Sequence, residues 1–398
     1  MRVITGLECL LNEKERQKLL IGKVGLLTNS AAVTTDYQWS VAPLKQLLGE
    51  RLIKLFGPQH GLLTNLQDNM IETVDFFHPY WQLPVYSLYS DTRSPTDEML
   101  DSLDTIVVDL QDIGSRVYTY IYTMTLLMES VRNFARNHSR NIRVVVLDRP
   151  NPVDGEIIEG NILALEFSSF VGRHQLPARH AMTIAEIARF VQKFESLDID
   201  LHIVPMLNWQ RKFSFAECGL PWVIPSPNIS SPEAAYTFVG TVLFEGTNIS
   251  EGRGTVRALE IVGHPTLDGF KFAERIQRLS VERGLQGFCL RPLSFIPTFN
   301  KHQGIPCGGI QIHPTDLKIF RPWRLGQLLL SELYQEKYFQ WKQPPYEYEF
   351  QRLPIDIING SDKLRQWIEK GENWEQLMAL ENNGREKFIQ QRAEVLLY

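Results

Sequence analysis

Thr105-Ile106-Val107-Val108-Asp109-Leu110-Gln111-Asp112 is a β-branched, apolar run that breaks abruptly into acids and an amide. Four apolar residues with polar punctuation suit a strand buried on both faces, as in a parallel sheet. The same pattern recurs along the chain. Residues 24–27 run into Thr28-Asn29-Ser30, residues 53–56 into Gly57-Pro58-Gln59-His60-Gly61, and residues 144–147 into Asp148-Arg149-Pro150-Asn151-Pro152. Residues 85–88 and 202–204 complete six expected strands. Helical patterns at 41–48, 96–103, 120–135 and 184–194 lie between them, and Thr183 with Glu186 is spaced as a capping box for the last. Strands alternating with helices predict an α/β fold, a Rossmann-like, mainly parallel sheet. Ligands of such sheets bind beyond the carboxyl ends of the strands. The polar tips at Asn29, Gln59, His60, Gln111, Asp112, Asp148, Arg149 and Asn151 are therefore expected to converge on one crevice, although Asp or Asn after a strand is also a frequent helix cap.

At 398 residues the chain has room for two domains. Four prolines within residues 221–232 mark the exit from the first, which places the domains at 1–225 and 226–398. The second half offers strands at 239–244, 288–296 and 309–312 and helices at 267–279, 325–338, 362–370 and 374–380, a smaller α+β domain. A net charge of -5 with no clustered Lys and Arg argues against nucleic acid as a partner. No apolar run approaches the roughly 18 residues of a membrane span. The N-terminus carries no apolar leader core, and Cys9, Cys218, Cys289 and Cys307 lie far apart, so a reducing, cytoplasmic setting is expected.

Walker, dinucleotide-binding, Gly-x-Ser-x-Gly and His-Glu-x-x-His patterns are all absent, and the nine histidines are scattered; neither cofactor nor metal is expected. What the chain does concentrate is polar chemistry in Phe244-Glu245-Gly246-Thr247-Asn248-Ile249-Ser250-Glu251-Gly252-Arg253-Gly254-Thr255. Two carboxylates, a guanidinium and three glycines read as a ligand-facing loop, since glycine lets backbone approach a ligand or take a positive φ. Carboxylates, amides, arginines and aromatic rings are the materials of sugar recognition and glycosyl transfer. Cleavage of a glycosidic bond needs an acid for the leaving oxygen and a base, a carboxylate nucleophile or a neighbouring group of the substrate.

Gly57 to Gly61, Asp109-Leu110-Gln111-Asp112-Ile113-Gly114-Ser115-Arg116-Val117-Tyr118-Thr119-Tyr120, Asp148 to Pro152, Arg179-His180-Ala181-Met182-Thr183, Pro225-Ser226-Pro227-Asn228, the 243–255 loop and Pro345-Tyr346-Glu347-Tyr348-Glu349 together resemble successive motifs of bacterial exo-β-N-acetylmuramidases of the NamZ type. The resemblance covers nearly the whole chain. It implies a cleft between the two domains and removal of terminal N-acetylmuramic acid from the non-reducing end of peptidoglycan fragments, with a small saccharide or muropeptide as the partner. Members of the family are often exported. The family pattern at the second strand tip is Gly-Pro-Glu-His-Gly, whose glutamate is the favoured acid; this chain has Gln59, and an amide cannot supply that proton.

Three readings follow from Gln59. The acid has moved to Asp68 or Glu72, or it is Glu251, with Glu245 behind it, or the protein binds an amino sugar without cleaving it. A hydrolase of a different amino sugar is a further alternative. Gln59 and His60 would orient, and the acetamido oxygen of the substrate could serve as internal nucleophile. Arg253, Arg116 or Arg149 could grip the lactyl carboxylate through a two-pronged pair. Asn29, Asn69, Gln111, Asp112, Tyr118, Tyr120, Asp148, Asn151, Arg179, His180, Asn228 and Asn248 complete the expected sugar contacts.

Overall fold

Leu26, Leu55, Val107 and Val145 point to one face of the main sheet, while Leu27, Phe56, Ile106, Val108, Val144 and Val146 point to the other, and all are buried. That two-sided burial is what a parallel sheet between helical layers requires. The computed structural model describes residues 2–67 and 70–398. Its main sheet has seven strands: β1 (Val24–Thr28), β2 (Leu52–Gly57), β3 (Phe76–His78), β4 (Leu83–Ser87), β5 (Thr105–Asp109), β6 (Arg143–Leu147) and β7 (Leu201–Val204). Their order is β3-β4-β2-β1-β5-β6-β7, and every pair is parallel except β3 with β4. Helices Gly6–Asn12 and Val41–Leu48 cover one face, and Tyr120–His138 and Ile184–Phe194 the other. The Thr183–Glu186 capping box forms as its spacing predicts.

A second, small domain carries an antiparallel sheet in the order β8 (Ile261–His264), β10 (Cys307–Pro314), β9 (Phe288–Phe295). The apolar layer over the main sheet runs on without a break into this domain through Phe238, Leu328 and Ile355. The shared core fixes the strand tips of the first domain against the loops of the second.

Two stretches depart from the sequence expectation. Residues 239–244, read as a strand, instead end the helix Pro232–Thr241 and enter the 3₁₀ turn Val242–Gly246. Ser231 caps that helix by accepting from Ala234 N at 3.1 Å, and Pro232 occupies its first position. Gly240 then lies directly against the Pro322 carbonyl, and Gly326 against Gly240, so two helices cross where neither has a side chain. This close packing outweighs the β-leaning composition of Val239, Thr241 and Val242. The helical pattern at 96–103 shortens to Asp97–Leu100, and β3, β8 and helices Gly6–Asn12, Pro354–Asn359 and Arg385–Ala393 were not anticipated.

Among the described residues no helix is long and apolar enough to cross a membrane, and no three His, Cys, Asp or Glu side chains gather as a metal ion would need. Cys9, Cys218 and Cys307 are buried, Cys289 is exposed, and all four are free thiols.

Candidate active site

Beyond β2 the chain turns at Gln59 and His60, and the loop between β5 and the helix Tyr120–His138 brings Tyr118 and Thr119 beside them. Facing these groups are Glu245, Arg253, Tyr346 and Glu347 from the second domain, with Ser226 and Asn228 at one end. The walls enclose a narrow, mostly polar cleft. His60 adopts φ 69° and its Nδ1 donates to the Leu66 carbonyl at 2.7 Å, which fixes the proton on that nitrogen and leaves Nε2 as the acceptor. Burial lowers its pKa to about 4, so the ring is neutral and a weak base.

On the second-domain wall, Arg253 ties together the two carboxylates of the glycine-rich loop. Its Nη2 donates to Glu245 Oε1, and its Nε lies 3.1 Å from Glu251 Oε1. Lys301 Nζ donates to Glu251 Oε2 at 2.7 Å and to the carbonyls of Phe244 and Ile249. Tyr346 Oη donates to Glu245 Oε2 at 2.7 Å. Burial alone would raise the Glu245 pKa, yet Arg253, the tyrosine hydroxyl and Lys301 outweigh it and hold the carboxyl below its ordinary value. Glu245 is thus an anion facing the cleft, and Glu251 has both oxygens engaged by cations. Glu245 is therefore not arranged to give up a proton. The loop's glycines answer the protein's own backbone: Gly252 and Gly254 take φ 77° and 82°, and a Cβ at Gly254 would stand 2.7 Å from Phe299 N.

Elsewhere on the same second-domain wall the pattern reverses. Glu347 is 4% exposed; Gln59 Nε2 donates to its Oε1 at 3.2 Å and Tyr89 Oη to its Oε2 at 2.8 Å. Thr119 Oγ1 donates to Gln59 Oε1 at 2.6 Å, which orients the amide. Burial pushes the Glu347 pKa up to about 7; Glu245 adds to the rise, and Tyr89, Gln59 and Arg93 offset part of it. Two buried carboxyls of one cleft are therefore driven apart, one toward the anion and one toward the acid.

This geometry belongs to a recognisable chain. Residues 24–233 match the family described as exo-β-N-acetylmuramidase NamZ, N-terminal, and residues 236–398 match its C-terminal counterpart. The chain belongs to the NamZ family. Peptidoglycan β-N-acetylmuramidase NamZ of Bacillus subtilis (strain 168) is 38% identical across all of this chain and 92% of its own length. Two DUF1343 family proteins from Bacteroides fragilis NCTC 9343 have solved structures with TM-scores of 0.86 and 0.74, at 27% and 25% identity, each covering 100% of this chain and 99% of its own. The α/β fold with a mainly parallel sheet and a second small domain is that of these structures.

Within this NamZ-family fold the remaining sequence candidates separate into cleft and scaffold. Tyr118 and Asn228 reach the cleft, and Asn228 Nδ2 also donates to the Gln67 carbonyl at 2.9 Å. Asn29 and Gln111 close the tips of β1 and β5 against each other, with Gln111 N donating to Asn29 Oδ1 at 3.2 Å. Tyr120 Oη donates to the Pro225 carbonyl at 2.5 Å. Asp112 accepts from Gly114 N at 2.7 Å, and burial raises its pKa to about 7; His180, with its pKa lowered by burial to about 3, lies 4.0 Å away.

Several expected sugar contacts are engaged with the scaffold. Arg116 donates to the carbonyls of Asn161, Leu176, Ile358 and Asn359, and Arg149 forks onto Asp109. Arg179 is held by Val153 and Asp154, and Asn151 by Met182 and Val153. Asp148 caps the helix Ile184–Phe194 through Ala185 N and accepts from Tyr398 Oη, so it does not pair with Arg149 as a side-chain couple. Asn248 clasps the backbone of Tyr338 and Gln340. Most donors of these buried forks meet scaffold carbonyls or carboxylates, while Arg116 Nε and Arg179 Nη1 have no hydrogen-bond partner among the described residues. Glu72 is exposed at the rim, bonded by Tyr348 Oη at 2.8 Å and 3.4 Å from Arg93. Asp68 and Asn69 lie outside the described residues.

Glu347 is the residue that sequence reasoning missed. Its signal was an acid between two tyrosines after Pro344-Pro345, inside a quoted family motif, but its partner Gln59 stands 288 positions away.

Proposed function

We propose that this protein releases terminal N-acetylmuramic acid from the non-reducing end of peptidoglycan fragments, in a cleft formed where domain 1–225 meets domain 226–398. Whole-length membership of the NamZ family supports the reaction, and the pairing of an anionic Glu245 with a protonatable carboxyl in one buried cleft is the observation that carries it. Glu245 stabilises the positive charge that develops at the sugar ring, or polarises the acetamido group that attacks from within the substrate. His60, Tyr118 and Asn228 position the sugar. The four unpaired thiols, one of them exposed, suit work in a reducing compartment on small muropeptides.

A muramic acid substrate brings a lactyl carboxylate that a glucosamine lacks. In the outer part of the cleft Arg253 and Lys301 are balanced by Glu245 and Glu251, whereas exposed Lys342 lines the same space without a carboxylate partner among the described residues. Lys342 therefore supplies the surplus positive charge for that carboxylate. Lys342→Met should raise KM for a muramide about tenfold, the size of a partly exposed charge-assisted hydrogen bond, and leave kcat nearly unchanged. A glucosaminide should show no such change. Equal effects on the two sugars would remove Lys342 from recognition.

The activity itself is tested with purified protein on 4-nitrophenyl β-N-acetylmuramide and on a muramyl-glucosamine disaccharide, with chromatography of released sugar between pH 5 and 8. Free N-acetylmuramic acid is the expected product. Calorimetric binding of the sugar without release at any pH would sink the reading in favour of a binding protein.

A further inference from the structure

Gln59 sits where a proton donor would face the cleft and can donate none of its own. The second domain fills the gap. Residues 345–349 fold over the cleft with Glu347 and Tyr348 at φ 45° and 66°, two successive non-glycine residues in the left-handed region. Such strain persists where the surroundings over-determine it and clusters at functional sites. The loop is pinned by Arg93, whose guanidinium lies 4.2 Å from the ring centres of both Tyr89 and Tyr348.

We propose that Glu347, seated beside Gln59 and Tyr89 on the cleft wall, is the general acid that protonates the departing glycosidic oxygen. The assignment rests on the muramidase reading above. A carboxyl has about four lone-pair positions, so the two donors from Gln59 and Tyr89 leave room for a transferable proton on the same group. That proton passes to the glycosidic oxygen as the bond to the anomeric carbon breaks, and the bonding electron pair leaves with the oxygen as an alcohol. Water then adds its hydroxyl to the anomeric carbon, and its remaining proton restores Glu347. Gln59 and Tyr89 stabilise the carboxylate formed in between. The other carboxyls are differently placed: Glu245 is held as an anion, Glu251 has both oxygens bound to cations, and Glu72 is at the exposed rim.

The groups that face Glu347 are Tyr89 and Arg93 from the segment after β4, Gln59 from the tip of β2, Glu245 from the 3₁₀ turn and neighbouring Tyr346. Burial raises the carboxyl's pKa to about 7, Glu245 adding to the rise and Tyr89, Gln59 and Arg93 opposing it, which suits a general acid near neutral pH.

The test compares wild type and Glu347→Gln on two muramides, the disaccharide with its poor leaving group and a dinitrophenyl glycoside whose leaving group needs no proton. Turnover of the disaccharide should fall about 10³-fold, within the range for loss of a general acid, and that of the aryl glycoside less than about tenfold. The alkaline limb of the wild-type kcat/KM profile should vanish. Disaccharide turnover within a few-fold of wild type, or equal losses on both substrates, would overturn the proposal. Tyr89→Phe keeps the carboxyl and removes a donor that favours its anion, so the alkaline limb should move to higher pH. A limb that stays in place would also overturn it. An active wild type with an unaffected Glu347→Gln defeats the assignment alone, whereas a wild type that binds and never releases sugar defeats the muramidase reading with it.

Discussion

Arg253→Met should destabilise the protein by about 3–5 kcal/mol, the cost of removing one partner from a buried ion pair, and should lower sugar release by about 10²-fold or more. Arg253 is 6% exposed and its guanidinium serves Glu245 and Glu251, which are 5% and 1% exposed. Without it, burial pushes the Glu245 carboxyl upward, opposed by Tyr346 and Lys301, and the anion of the cleft is weakened. Glu245 is a group whose folded-state pKa lies below its ordinary value of 4.5. It therefore adds stability that is present above that pH and lost as pH falls through the lower folded-state value. The deficit of Arg253→Met should accordingly be largest at pH 7 and shrink on acidification below pH 4.5, as read from urea unfolding across that range. Arg253→Lys keeps a charge but cannot reach both carboxylates with a planar fork, so it should recover part of the stability and little of the activity. A methionine variant within 1 kcal/mol of wild type and fully active would show that the cluster is incidental.

Arg149→Met is the second large effect, again about 3–5 kcal/mol, and here stability alone is at stake. Nε and Nη2 of Arg149 donate to the two Asp109 oxygens at 2.6 and 2.9 Å, and Nη1 donates to the Val33 carbonyl at 3.0 Å. Asp109 is fully buried at the end of β5, so the single variant leaves a carboxylate with neither solvent nor countercharge. The double variant Asp109→Leu with Arg149→Met removes both charges and should regain much of the loss, since apolar replacement of a buried pair is often nearly neutral. Chemical denaturation of the three proteins, with unchanged m-values, measures this. A double variant no more stable than the single one would place the damage in packing around Val33 instead.

Legibility followed distance along the chain. The six main strands, the capping box at Thr183 and the convergence of Gln59 and His60 on a cleft were readable because each depends on residues within a few positions of one another. The reading of 239–244 failed because Gly240 meets Pro322 and Gly326, contacts that no local propensity registers. The arginines failed for the same reason. Arg116, Arg149 and Arg179 stand in motifs that look like ligand contacts, yet buried carbonyls and acids of the scaffold take most of their donors.

The sequence by itself determined the family, the α/β class and the anomaly at Gln59, because motif identity and continuous apolar runs with polar tips are written in neighbouring residues. Only the tertiary structure decided which partners surround each carboxyl. Glu245, Glu251 and Glu347 are the same side chain in three positions. What separates them is the partners that folding brings from far along the chain, Arg253 and Tyr346 to Glu245, Arg253 and Lys301 to Glu251, and Gln59 and Tyr89 of the first domain to Glu347.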